Sequence, residues 1–219
     1  MWGCLLGLAL PAWATQPPSM DDALARCPGA QVFVAAHAPA KRVDAGTGKA
    51  SDPSLRASLL AMAEQDQAVR NGDWSAAQMQ RMAEVDATHL TQMRRIVAAH
   101  GGLPDVAAVG RDGLAAAWLL VQHADADNAL QAKVLESLQP LLARGEIDEQ
   151  AYVLLTDRVL VGQGKPQRYG SQLIVREGKW TPRPIAEPDT VDVRRSERHQ
   201  MAMADYLCLT SALSPPPQN

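Results

Sequence analysis

The sequence predicts a mainly α-helical fold, a bundle of six or seven helices with one short β-hairpin near residues 172–182. Three observations carry this reading. Aromatic residues are 4% of the 219-residue chain, while Ala, Leu and Met abound, a composition that favours helices over sheets. Apolar residues recur at helical spacing through the middle of the chain. Helix start and stop signals bracket those stretches.

Residues 1–14 read as a secretory signal. An apolar core leads to Ala12-Trp-Ala14, a small-x-small cleavage site, although no basic residue precedes it. The stretch is too short to span a membrane. The competing reading is an N-terminal helix packed on the core. Residues 15–52 hold an N-terminal helix and a loop. Ser19-Met-Asp-Asp22 starts the helix and Pro28 ends it near Cys27, after which Ala30 to Ala38 is either helix or short strand. Lys41 to Ser51, with two glycines, is a loop.

Residues 53–209 form the helical domain. Asp52-Pro53 is a cap followed by Pro in the first turn. This helix runs to Arg70 and stops at Asn71-Gly72. Ser75 opens a helix to about Ala99. Leu103 to Gly110 is a loop, and helices follow at 112–124, 127–143 and 148–162. Gln172 to Trp180 reads as a hairpin turning at Glu177-Gly178. Three prolines keep Thr181 to Pro188 extended. A last helix covers about Val191 to Leu209, and residues 210–219 are a Pro-rich disordered tail.

With 47% hydrophobic and 21% charged residues, one ordinary globular domain with a real core is expected. A net charge of -3 gives no sign of a nucleic-acid surface. Nothing after the signal reads as a transmembrane segment. If cleavage follows Ala14, Cys27 and Cys208 remain. In an oxidising compartment they are either one disulfide or two buried thiols.

Ionisable residues on apolar helices mark the candidate site. Leu114 to Asp125 and Ala151 to Val161 are almost wholly apolar, yet they carry His123, Asp125, Asp157 and Arg158. Buried charge is costly unless it is paired or hydrogen-bonded. Asp66 continues the stripe Leu55, Leu59, Met62, and Arg70 follows one turn later. Asp86 and His89 lie on the stripe of Met79, Met82, Met93 and Ile96. The plain alternative is an ion pair, worth about 0.2–0.5 kcal/mol if exposed. For Asp127 the alternative is the N-cap of the next helix. Helix bundles build sites from facing helices, so convergence suits an acid/base pocket or a carboxylate–histidine metal site. Gln167-Arg-Tyr-Gly-Ser-Gln172 concentrates polar groups on a loop, where binding groups commonly sit. The other reading of that loop is a structural turn. Arg194 and Arg195 can reach an anionic ligand or Asp157.

Together, Asp66-Gln67 with Arg70, Gln122-His-Ala-Asp125, Asp157-Arg158, Gln167 to Gln172 and Val191-Asp-Val-Arg-Arg195 resemble a bacterial family catalogued as a domain of unknown function, number 6624. The resemblance spans about residues 55–207. It departs at Gly102-Leu103-Pro104, where the family has Gly-Trp-Pro. It implies no activity, and it ties the segments into one unit.

Three functional readings follow. The first is a periplasmic or secreted acid/base enzyme, hydrolase-like, with His123 as base or acid oriented by Asp125 or Asp157. Arg158, Gln167, Tyr169 and Gln172, with Asp66, Asp86 and Arg194, would bind a polar or anionic small molecule or peptide. The second is a non-catalytic binding or structural module held by a buried polar network. The third is a metal-binding bundle. The sequence holds no Gly-x-Ser-x-Gly, phosphate loop or dinucleotide fingerprint.

Overall fold

The computed structural model describes residues 18–37, 49–71 and 75–216. The proposed signal segment 1–14 lies outside them, as does most of the loop at 41–51. The described residues form nine α-helices, one 3-10 turn and a two-stranded hairpin, so the helix count exceeds the six or seven expected.

The extra helices come from two breaks. The first helix ends at Cys27 as expected, and of the two readings of the next segment helix holds, opened by Pro28. α1 (Met20–Arg26) stops at Cys27 and α2 (Pro28–Ala36) begins with the proline at its first position, where its missing N–H is no loss. The helix expected from Val191 to Leu209 is also split. α8 (Val191–Glu197) and α9 (Met203–Leu213) flank a turn in which His199 has φ 51°, a left-handed conformation that no helix continues through. α9 extends past Leu209, into the segment expected to be disordered.

Between these lie α3 (Pro53–Arg70), α4 (Ala76–His100), α5 (Val106–Gln122), α6 (Asn128–Ala143) and α7 (Glu149–Gly162). Asp52, Ser75, Asp105, Asp127 and Asp148 each cap the helix they precede, accepting an N–H from its first turn. α5 starts six residues earlier than the expected helix and is kinked at Gly110, whose φ of 76° interrupts it. β1 (Leu173–Arg176) and β2 (Lys179–Pro182) pair antiparallel across Glu177-Gly178.

α3 lies along α5, and α4, α6 and α7 complete the main bundle. Its core joins Leu59, Met93, Val97, Leu114, Leu120, Val134, Leu138 and Leu155. A second, smaller core joins α1 and α2 to α9 through Ala23, Ala30, Leu209 and Ala212. Cys27 and Cys208 are disulfide-bonded there, 181 residues apart in sequence. No described helix is long and apolar enough to cross a membrane.

Closing a loop of that length removes about 5 kcal/mol of unfolded-chain freedom in the chain-entropy account. Peptide mapping of unreduced protein should therefore recover a cross-linked Cys27–Cys208 fragment, and reductant should lower the urea midpoint. Reaction of both cysteines with a thiol reagent in denatured, unreduced protein would exclude the bond.

Candidate functional site

The polar residues gather at the end of the bundle where α3, α5 and α7 finish. Asp66 sits on the inner face of α3, fully buried. His123 is the residue on which α5 ends. Its Nδ1 lies 2.8 Å from both Asp66 oxygens. Gln67 Nε2 donates to Asp66 Oδ2 at 2.8 Å, and Arg70 Nη1 stands 2.7 Å from Oδ1. Arg70 also reaches Asp86 on α4 through Nη2, at 2.8 and 3.0 Å. The guanidinium thus bridges two carboxylates from two helices.

Burial pushes the Asp66 carboxyl up. The hydrogen bonds from His123 and Gln67 and the charges of His123 and Arg70 outweigh it, and hold the group below the ordinary aspartate value. With Asp66 ionised, Nδ1 of His123 carries the proton and donates it, which leaves Nε2 as the basic nitrogen. Nε2 has no hydrogen-bond partner among the described residues, and the side chain keeps 22% exposure. Burial lowers the His89 pKa against the pull of Asp66 and Asp86. His89 Nε2 meets Gln65 Oε1 at 3.3 Å, and its buried Nδ1 has no partner among the described residues.

A second cluster adjoins the first through the backbone at 122–125. Arg158 on α7 donates from Nε to Gln122 Oε1 at 3.1 Å and from Nη1 to Asp125 at 2.8 and 3.0 Å. Gln131 Nε2, fully buried on α6, donates to the carbonyls of Val121 and Gln122 and to Asp125. Gln122 Nε2 is buried and has no acceptor among the described residues.

Asp157 belongs elsewhere. Residues 157 and 158 are neighbours on a helix and point about 100° apart, so Asp157 faces away from His123. Its Oδ1 accepts the backbone N–H groups of Arg168 and Tyr169 at 2.7 and 2.9 Å, and its Oδ2 that of Ser171 at 2.8 Å. The buried Gln167 side chain ties the same loop to itself, accepting from Gln172 N and donating to the carbonyls of Gln172 and Arg183. Gly170 has φ 78°, and a Cβ there would lie 2.6 Å from Met203 Sδ, so only glycine fits. Gln172 Nε2 reaches Ser171 Oγ and the Leu154 carbonyl. Tyr169 is buried. Arg194 donates to the carbonyls of Arg168, Ala186 and Glu187.

The structure therefore redistributes the expected roles. The carboxylate that orients His123 is Asp66, not Asp125 or Asp157. Asp125 is 65% exposed and paired with Arg158. Asp157, Gln167, Tyr169, Gln172 and Arg194 anchor one loop and do not meet His123. Asp127 is the N-cap of α6 and pairs with Arg94 at 2.7 Å. Sequence reasoning missed Gln131, although it continues the apolar stripe of Val134, Leu138 and Leu141. Among the described residues no group of three or more His, Cys, Asp or Glu is placed to hold a metal.

A family model described as a family of unknown function (DUF6624) matches residues 53–213. Neither the curated proteins nor the solved structures hold a match to the chain.

Asp157→Ala strands three backbone N–H groups, each worth about 1–3 kcal/mol. It should lower unfolding free energy by about 3 kcal/mol or more, read from urea denaturation; a loss below about 1 kcal/mol would refute the anchor. The folded pKa of Asp66 is depressed, so its ionisation stabilises the fold fully above about pH 4 and that contribution is lost as pH falls further. Asp66→Asn should shrink the difference between urea midpoints at neutral and acid pH. An undiminished difference would show that Asp66 does not drive acid unfolding.

Proposed function

The chain belongs to this family of unknown function, and we propose that it is an acid/base enzyme, hydrolase-like, in which His123 moves the proton. One observation carries the reading: Asp66 engages Nδ1 of His123 at 2.8 Å and leaves Nε2 as the base on a partly exposed ring. A carboxylate on one imidazole nitrogen sets the tautomer and stabilises the imidazolium that forms when the other takes a proton. In this reading Nε2 deprotonates water or a substrate hydroxyl, then returns the proton to the leaving group. Asp66 and Arg70 are positioning residues, since Arg70 fixes Asp66 from the far side and is itself fixed by Asp86.

Arg158, with 26% side-chain exposure and paired with Asp125, and the Nε2 of Gln122, which has no acceptor among the described residues, supply a cation and a donor next to the end of α5. They suit a polar or anionic substrate, a small molecule or a peptide terminus. We place the protein in the periplasm or outside the cell. The signal-like residues 1–14 and the Cys27–Cys208 bond both fit an oxidising compartment.

A structural reading is favoured for one part of the polar set. Asp157, Gln167, Gln172 and Arg194 spend their hydrogen bonds on backbone groups, as a register-fixing network would.

A panel of ester, amide and phosphoester substrates tests the proposal. His123→Ala should cut turnover by about 10²–10⁴-fold with little change in melting temperature, whereas Tyr169→Phe should leave turnover intact. Absence of wild-type turnover across the panel would exclude hydrolysis. A strongly lowered melting temperature for His123→Ala would move His123 into the structural network.

A further inference from the structure

A cavity among the described residues lies away from the His123 dyad. It has a volume of about 770 Å³ and is walled by α2, α7, α9 and the turn between α8 and α9. No dyad residue lines it. That volume falls in the range of small-molecule sites, about 300–1,000 Å³. Phe33, Val153, Leu154 and Met201 give it apolar walls.

Arg195 stands in the wall and is 2% exposed. Its Nε donates to the Met201 carbonyl at 2.6 Å and its Nη1 to the Tyr169 carbonyl at 2.7 Å. The Tyr206 ring lies 4.8 Å from the guanidinium carbon. All three partners are neutral; the carboxylates of Asp192 and Asp157 attract the charge from beyond ion-pair distance. Among the described residues Arg195 forms no ion pair, and its Nη2 has no acceptor. Asp157 has both oxygens on backbone N–H groups, and Asp192 Oδ1 accepts the Met203 N–H at 2.7 Å.

The acidic groups at the wall are committed too. Glu149 pairs with Arg198 at 3.1 Å, and Asp148 accepts the Ala151 N–H at 2.8 Å as the cap of α7. A buried guanidinium without a direct ion pair, set in the wall of a cavity that also has apolar faces, attracts a negative charge.

We propose that this cavity binds a small organic monoanion, with its carboxylate on Arg195 and its apolar body against Phe33, Val153, Leu154 and Met201. One cation matches one carboxylate. A phosphate dianion would call for a second cation, and Arg195 is the one Arg or Lys among the described residues that line the cavity. The site is separate from the proposed acid/base centre, so its occupancy is read by binding and not by turnover.

Titration calorimetry of the full chain with hexanoate, against hexan-1-ol as the uncharged match, tests this. Hexanoate should bind with a Kd near or below about 1 mM, and hexan-1-ol about tenfold or more weakly. Leu154→Trp, which adds bulk to the cavity wall and keeps the Arg195 side chain itself, should abolish hexanoate binding while helical circular dichroism is kept. Arg195→Lys should weaken it about tenfold; if that variant fails to fold, the alcohol comparison and Leu154→Trp still decide. Equal affinity for acid and alcohol, undiminished binding by Leu154→Trp, or no hexanoate binding up to about 10 mM would each overturn the proposal.

Discussion

A carboxylate with no exposure to water cannot stand alone, and Asp66 is such a group. Its two oxygens draw in His123 from the end of α5, Gln67 from its own helix and Arg70 one turn on. Arg70 then draws in Asp86 from α4. Three helices are brought into register by one desolvated charge, because removing any partner leaves the rest of a buried network uncompensated. The apolar packing of α3 on α5 brings these helices together; the carboxylate selects which residues meet.

The same logic works a second time at Asp157, with a different result. There the partners are backbone N–H groups of the 168–171 loop, so the charge organises a chain path and no side-chain pair. One helix thus serves two purposes from adjacent positions. Arg158 turns toward Gln122 and Asp125, while Asp157 turns toward the loop. The loop is held in turn by Gln167 and Arg194, and its glycine admits Met203 of α9. That closes the path from the main bundle to the smaller core.

Much of this was legible in the sequence. The span of α3 and the hairpin pairing with its Glu177-Gly178 turn follow from caps, a first-turn proline and strand-and-turn chemistry. Asp66, His123 and Arg158 were marked by their places on apolar helices. What could not be read was partnership. A stripe of apolar residues says that Asp66 is buried but not which of four helices faces it, and pairing across 57 residues depends on packing, not spacing. Asp157 and Arg158 look alike as neighbours in sequence and diverge only in three dimensions. The splitting of the last helix escaped because Arg198 to Ala202 contains neither Gly nor Pro; a left-handed histidine makes the turn.

The Cys27–Cys208 bond joins α1 and α2 to α9 and so turns most of the polypeptide into a covalent ring. A protease that cuts once between these cysteines opens the ring but releases nothing, so the nicked molecule stays one particle. Two cuts, or one cut and a reductant, are needed before any of the helices between α2 and α8 can leave.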